Sequence, residues 1–415
     1  MIKYEIQHDN VFDELVERGY YEQSTHEDEV RKLLAEQSVP FYIGFDATAD
    51  SLTIGHFIQI MVMMRMQAHG HIPIALLGGG TTMVGDPSGR NDMRQVMTKE
   101  RIDHNAECFK HQLGRFLDFG VEKGAIIANN ADWLLDLNFL DFMRTTGVHF
   151  NVNQMLQLDA YKNRKNEGLT FFEFSYILMQ SYDFYRLNEE YGCLLQLGGS
   201  DQWSNIIGGV DLVRKMNQHS VYGMTFKLLT NADGVKMGKS QKGAIWLDGE
   251  KTSPYELFQY MRNVDDRDVE KFLLMLTFLP TDQCKKLGAL EGSEINRGKE
   301  TLAYEVTKLI HGEEQAKKAL ETSRSLFTGE GTGENMPTTK KNAKEFEEGI
   351  GALNLLTELG LTSSNGEARR LIQQNGIEFN GEKLTDVKKT VTTDDFKDGE
   401  LIIKKGKKTY HKVQI

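Results

Sequence analysis

Lys236-Met237-Gly238-Lys239-Ser240 sets two lysines around a glycine in a polar loop. Ammonium groups are compact charges on flexible stems and suit a triphosphate. A glycine between them lets the loop move. A second stretch, Phe41 to His56, reads as strand, polar loop and helix. Phe41-Tyr42-Ile43-Gly44-Phe45 is apolar and aromatic, as a buried strand should be. Asp46 to Ser51 is short and polar, and Asp50 or Ser51 can cap the helix that begins near Ile54. Such a turn aims backbone N–H groups and the positive end of a helix dipole at one point, which is how phosphate is bound. Gly55 in the first turn lets a flat ring approach the backbone, and His56 adds a donor beside it. Alone, a lone lysine loop or one such turn is ordinary. Together in one chain they point to a nucleotide.

These loops need elements to hold them. A second apolar run, Ile72 to Leu77, feeds the glycine-rich Gly78-Gly79-Gly80-Thr81-Thr82-Met83-Val84-Gly85-Asp86-Pro87-Ser88-Gly89-Arg90. Strand, helix, strand and glycine-rich loop describe a βαβ unit in a parallel sheet. Ala125 to Ala128 and Leu194 to Leu197 are further strands. Ligands of such sheets bind beyond the carboxyl ends of the strands, where both polar loops fall. Residues 1–39, 99–118, 133–190 and 253–326 read as mainly helical. Phe172, Tyr176, Met179 or Gln180, and Asp183 recur on one helical face. A later strand ends in Gly198-Gly199-Ser200-Asp201-Gln202-Trp203, with a helix following to about Met216.

At 415 residues the chain should hold two or three domains. Its net charge of −11 argues against a protein that coats nucleic acid. The acidity is not uniform. Glycine at every second position from Gly329 to Gly333 reads as a flexible linker or surface loop. The residues from 350 to 415 then carry 11 Lys and Arg against 9 Asp and Glu. The basic residues gather in Arg369-Arg370, Lys388-Lys389 and Lys404-Lys405-Gly406-Lys407-Lys408, which points to RNA or another polyanion. Cys108, Cys193 and Cys284 are scattered and lack metal-ligand spacing, as in a reducing compartment. No run approaches the roughly 18–20 apolar residues of a membrane span, and Met1 to Glu5 has no signal-peptide pattern. A cytoplasmic protein without a membrane partner is expected.

Taken in order, several pieces resemble the bacterial tyrosyl-tRNA synthetases, a family of class I aminoacyl-tRNA synthetases. They are Tyr42 to His56, Gly85-Asp86-Pro87-Ser88-Gly89, Phe174-Ser175-Tyr176, Gln180 with Asp183, Gly198 to Trp203, Lys236 to Ser240 and the basic terminal module. The two class I signatures, usually written HIGH and KMSKS, read here Thr53-Ile54-Gly55-His56 and Lys236-Met237-Gly238-Lys239-Ser240. The resemblance implies a reaction in two steps. The carboxylate of L-tyrosine attacks the α-phosphate of ATP, giving tyrosyl-adenylate and pyrophosphate. A ribose hydroxyl at the 3′ end of tRNA(Tyr) then takes the tyrosyl group. A carboxylate is already a nucleophile, so the first step needs alignment and neutralisation of charge rather than a base.

By the same resemblance, Tyr42 and Asp183 hold the phenol of tyrosine. Asp86, Tyr176 and Gln180 hold its ammonium, and Gln202 lies near its carboxylate. Asp46, Gly55, His56, Gly199, Asp201, Leu228, Leu229 and Lys239 bind ATP, with Gly199 and Asp201 at the ribose and the two leucines behind the adenine. Thr48, Thr53, His56, Arg90, Arg94, Lys236 and Lys239 hold the triphosphate and stabilise the transition state. Mg2+ would accompany ATP, with no tightly bound metal. The chemistry agrees at Asp183: an ionised carboxylate can only accept, so it selects a ligand that offers an O–H. Thr53 departs from the pattern, standing where the first signature histidine is expected. It would act at closer range, through water, or leave the task to His56 and Thr48.

Asn365 to Ile372 resembles the S4 RNA-binding signature, so Arg369, Arg370, Lys404, Lys405, Lys407 and Lys408 are expected at RNA. The family is homodimeric, which puts an interface around residues 130–165. The expected fold is α/β: a Rossmann-like parallel-sheet catalytic domain with a helical insertion over 1–245, an α-helical domain over 246–327, a linker over 328–349, and a small α+β S4-like domain over 350–415. Two rivals stand beside this reading. One is an RNA-binding or regulatory protein that keeps the fold without catalysis, suggested by Thr53. The other is a class I enzyme for tryptophan, against which Asp183 opposite Tyr42 argues, since an indole N–H needs a differently shaped pocket.

Overall fold

A computed structural model describes residues 6–88, 97–162, 168–240, 243–328, 338–406 and 409–415. The chain divides into two compact units, one of residues 1–238, 245–248 and 264–298, the other of 239–244, 249–263 and 299–415. The first is built on a six-stranded sheet in the order β1 (Tyr21–Ser24), β6 (Tyr222–Phe226), β5 (Leu195–Gly199), β2 (Pro40–Phe45), β3 (Ile72–Leu77) and β4 (Ile126–Asn129). β2 to β6 run parallel and β1 runs antiparallel on the edge beside β6. Continuous apolar runs at the centre of such a sheet are buried on both faces. The sheet turns back on itself between β2 and β5: β3 and β4 lie to one side, β5 and β6 to the other. Loops leaving β2 and β5 therefore diverge and open a crevice at their carboxyl ends.

The four strands expected from the sequence are present. β1 and β6 were not expected. Residues 1–39 are not helical throughout: β1 lies between the helices Val11–Glu17 and Glu27–Glu36. Its polar residues on a sheet edge carry no apolar pattern. β6 hides behind Gly223, a glycine because any Cβ there would collide with Ile206.

The helix Ile54–Ala68 starts at Thr53, not at Asp50 or Ser51. Thr53 is extended (φ −108°, ψ 168°) and forms a capping box with His56. The helix Tyr176–Tyr191 is separated at Ser175 from the short helix Phe171–Phe174. Phe172 is 45% exposed in consequence and does not share the buried face of Tyr176 and Asp183.

A buried charge cluster ties three elements of this unit together. Glu14, from Val11–Glu17, accepts from Arg18 Nε at 3.0 Å, from Arg65 and from His69 Nε2 at 2.8 Å. The two guanidinium groups reach on to carbonyls at the end of the helix Val269–Leu276 and just beyond it. Arg18 donates to Leu274 and Leu279, Arg65 to Thr277, and Tyr20 adds a bond to Met275. Helix ends leave carbonyls unpaired, and these cations satisfy them.

In the second unit, residues 338–415 form a five-stranded sheet over the helices Ala352–Glu358 and Asn365–Gln373. Leu355, Leu356, Ile372, Ile377, Leu401, Ile403 and Val413 make its core. The expected linker is shorter than the sequence suggested. Thr338–Lys340 is an edge strand parallel to Thr409–Gln414, and Phe346 is buried in the same core. Its three polar residues gave no alternation to read. Residues 329–337 lie outside the described ones.

Burial alone would push the Glu14 carboxyl up. The His69 hydrogen bond and the charges of Arg65 and Arg18 outweigh it and bring the group to about 2. A depressed carboxyl contributes stability above its unfolded value near 4.5 and loses it as pH falls towards 2. Glu14→Gln should destabilise the fold by roughly 3–5 kcal/mol near neutral pH, because it leaves buried guanidinium groups uncompensated. It should also remove the part of the acid-unfolding slope that lies between those two values. Urea titrations of both chains across pH check this.

Candidate active site

Asp183 sits in the second turn of Tyr176–Tyr191 and is 1% exposed. Its two oxygens have different partners. Trp133 Nε1 donates to Oδ1 at 2.8 Å and Asn130 Nδ2 donates to Oδ2 at 2.9 Å. A carboxylate has about four acceptor positions, so these bonds orient it without exhausting it. Tyr42, on β2, is 1% exposed with its ring 5.4 Å from that of Phe184. Among the described residues its buried hydroxyl has no hydrogen-bond partner. Burial, then the charge of Asp183, push this phenol well above its usual value. Burial also lifts Asp183 to about 7, against the pull of Asn130 and Trp133, and the charge of Asp46 adds to the rise.

Asp86 is buried in the loop beyond β3, after the short turn Thr81–Met83. Gln202 Nε2 donates to its Oδ2 at 2.7 Å and the N–H of Ser88 to its Oδ1 at 2.8 Å. Gln180 donates to Gln202 Oε1 at 3.3 Å, as does Asn205 at 3.2 Å. Burial raises the Asp86 carboxyl, the Gln202 and Ser88 bonds resist, and Asp46 again adds to the rise. The hydroxyl of Tyr176, which was expected to hold an ammonium with Asp86 and Gln180, donates to Asp46, at 3.2 Å to Oδ2, and Thr81 Oγ1 donates to the same carboxylate at 3.0 Å. Three carboxylates thus share one crevice, two of them held above their ordinary range. Such a site is made for a cation and for O–H or N–H donors. The glycine run serves close approach here: a Cβ on Gly78 would meet Asp46 at 2.5 Å and one on Gly80 would meet Leu134 at 2.9 Å.

The signature residues frame the next part of the crevice. His56 Nδ1 accepts from the N–H of Thr53 at 3.0 Å and lies 3.0 Å from Thr53 Oγ1. An accepting Nδ1 leaves the proton of a neutral ring on Nε2. Thr53 therefore caps the helix and sets the histidine, a role that the sequence did not suggest. A Cβ on Gly55 would lie 3.5 Å from the Met237 carbonyl, so the two signatures touch through their backbones. Lys236 is exposed and pairs with Asp201 at 3.0 Å. Gly199 is a glycine of necessity: a Cβ would meet Leu228 at 2.7 Å and Asp201 at 2.9 Å. Leu229 is buried beside Leu228, and Thr48 is exposed on the loop after β2.

Arg90, Arg94, Lys407, Lys408 and the side chain of Lys239 lie outside the described residues. In the terminal module Arg369 and Arg370 are exposed. Lys404 pairs with Glu378 at 3.2 Å, and Lys405 donates to Leu361 O at 2.7 Å and pairs with Glu367. The last two are ties within the domain. Among the described residues no group of three or more His, Cys, Asp or Glu is placed to hold a metal. No helix among them is long and apolar enough to cross a membrane.

A crevice at the strand ends, with a carboxylate–phenol pair at its floor and two signature loops at its rim, defines an amino-acid-activating site of class I type. Residues 34–328 match the family model of the tRNA synthetases class I (W and Y), and residues 330–413 that of the tyrosine--tRNA ligase SYY-like C-terminal domain. The tyrosine--tRNA ligase of Lachnoclostridium phytofermentans is 59% identical over 404 residues, covering 97% of this chain and 98% of that one. That of Clostridium kluyveri is 57% identical over 406 residues, covering 98% and 99%. A C-terminally truncated mitochondrial tyrosyl-tRNA synthetase from Aspergillus nidulans superposes with a TM-score of 0.69 at 30% identity, over 77% of this chain and 95% of that one. The chain belongs to the class I tRNA synthetases and, among them, to the tyrosine–tRNA ligases.

Asn130, Trp133 and Thr81 were not singled out from the sequence. Asn130 directly follows β4, and the rule that ligands gather at carboxyl strand ends could have found it. Trp133 offered no such signal. An ionised Asp183 accepts a phenol O–H better than a protonated one does. Tyrosine affinity should therefore rise as pH climbs through about 7 and level off above it. Asp183→Asn should remove that step, as equilibrium dialysis of tyrosine against pH will report.

Proposed function

We propose that this chain activates L-tyrosine with ATP and transfers the tyrosyl group to the 3′ end of tRNA(Tyr), with Asp183 and Tyr42 choosing the amino acid. The observation that carries the choice is the buried Asp183 carboxylate, oriented by Asn130 and Trp133 opposite a Tyr42 hydroxyl that has no partner among the described residues. A phenol fills both needs. Phenylalanine fills neither, and an indole N–H sits in the wrong place for both. Asp86, Tyr176 and Gln180 take the ammonium, with Gln202 near the carboxylate, which is left free to attack the α-phosphate. The Tyr176 hydroxyl also donates to Asp46. Asp201 and Gly199 meet the ribose, and Leu228 and Leu229 back the adenine. Thr48, His56, Lys236, Lys239, Arg90 and Arg94 neutralise the triphosphate, with Thr53 acting through His56. Mg2+ enters as the counter-ion of ATP.

The terminal module grips tRNA through Arg369 and Arg370, and the enzyme works in the cytoplasm, in keeping with its free thiols. It is also a homodimer. Leu135, Phe139, Leu140, Val148, Val152, Phe171 and Phe172 are 45–70% exposed within one short span. That many exposed apolar side chains in one stretch of chain supports an interface there.

Pyrophosphate exchange should proceed with tyrosine and stay at background with tryptophan. Asp183→Ala should lower kcat/KM for tyrosine by about 10- to 150-fold, the worth of a hydrogen bond to a charged group, and leave phenylalanine unaffected. No exchange with tyrosine, or preference for tryptophan, overturns the reading. Sedimentation should give a dimer for the native chain and a monomer for Leu140→Glu. A native monomer contradicts the interface.

A further inference from the structure

Lys236 stands on one arm of a tight hairpin. Met237 N–H donates to Leu229 O at 2.7 Å, Thr230 and Lys236 form an antiparallel bridge, and Asn231 N–H donates to Val235 O at 2.9 Å. Asn231 Oδ1 closes the tip by accepting from the N–H groups of Asp233 and Val235. Gly234 makes the turn with φ +78°. The arm opposite Lys236 is held from outside. Asp268, 1% exposed, accepts the N–H of Ala232 at 2.9 Å. Lys271 Nζ donates to Thr230 O at 2.6 Å and pairs with Asp268 at 2.8 Å. Arg267 adds an exposed pair with Asp233 at 3.0 Å.

Asp268 and Lys271 border and begin the helix Val269–Leu276. The far end of that helix is held by Arg18 and Arg65, and Arg65 belongs to the helix that starts at Thr53 and His56. One short helix thus braces the hairpin of the second signature against the helix of the first. A buried carboxylate and an adjacent ammonium, each bonded to the same loop, make a stiff joint because neither is cheaply left unpaired.

We propose that Asp268 and Lys271 are positioning residues for the ATP step. They fix Thr230 to Ala232 and, through the paired arm, set where the Lys236 ammonium meets the triphosphate. The inference rests on the assignment of Lys236 to the triphosphate.

The test uses the full chain, with pyrophosphate exchange for ATP kinetics and dialysis for tyrosine affinity. Lys271→Met is the first variant, since its side chain is 38% exposed and its loss spares the core; Asp268→Asn is the second. Each should lower kcat/KM for ATP on the order of tenfold with tyrosine affinity unchanged, and Lys271→Arg should recover most of the loss. In a Lys236→Ala background, Lys271→Met should add nothing. Native ATP kinetics in Lys271→Met, losses that multiply in the double variant, or a parallel loss of tyrosine affinity each overturn the proposal. Lys236→Ala with native exchange would overturn the triphosphate assignment itself, whereas a defective Lys236→Ala beside an inert Lys271→Met defeats only the brace.

Discussion

Taking a carboxylate out of water is expensive unless donors replace the water. Asp183 is out of water, and the donors come from the start of the short helix Ala131–Leu134, the amide of its N-cap Asn130 and the indole of Trp133. Much of the surrounding architecture follows from delivering them. Asn130 stands at the end of β4, where it also accepts from the N–H of Gly80 and donates to Thr81. The glycines after β3 let that loop come close enough to Asp46 and Leu134. The sheet order brings β2, with Tyr42, beside β5, with the loop of Asp201 and Gln202. Even so burial keeps the carboxyl high, and carboxyls perturbed in this way gather at ligand sites.

The signature side of the crevice depends on a different constraint. Charged loops bind triphosphate well only when something limits where they reach. The first signature is limited by its capping box, which ties His56 to the start of its own helix. The second is limited at its hairpin base, by the residues that begin Val269–Leu276. Both limits converge on buried Glu14, because Arg65 closes the last turn of one helix and caps the end of the other. Charge buried away from the crevice is thus part of how His56 and Lys236 keep their geometry.

How much of this was legible in the sequence depended on whether the signal was local. β2, β3, β4 and β5 declared themselves as apolar runs, and ordered motifs led to the family. Edge strand β1 and the strand Thr338–Lys340 are polar and escaped any reading by hydrophobic pattern. The cap of the first-signature helix was placed two or three residues early, because Asp50 and Ser51 are as good capping types as Thr53; only the backbone tells them apart. Phe172 kept helical spacing with Tyr176, but a break at Ser175 turned it outward. Lys405 was expected at RNA, and within the domain it is tied to Glu367, a partner 38 residues distant. Trp133 and Asn130 act through contacts some 50 residues away, and no local rule reports such pairs.

The most direct test of the account is a structure of this chain with L-tyrosine bound. The phenol oxygen should lie within about 3 Å of both an Asp183 oxygen and the Tyr42 hydroxyl, with the ammonium towards Asp86. A tyrosine bound with its ring hydroxyl away from Asp183 would contradict it.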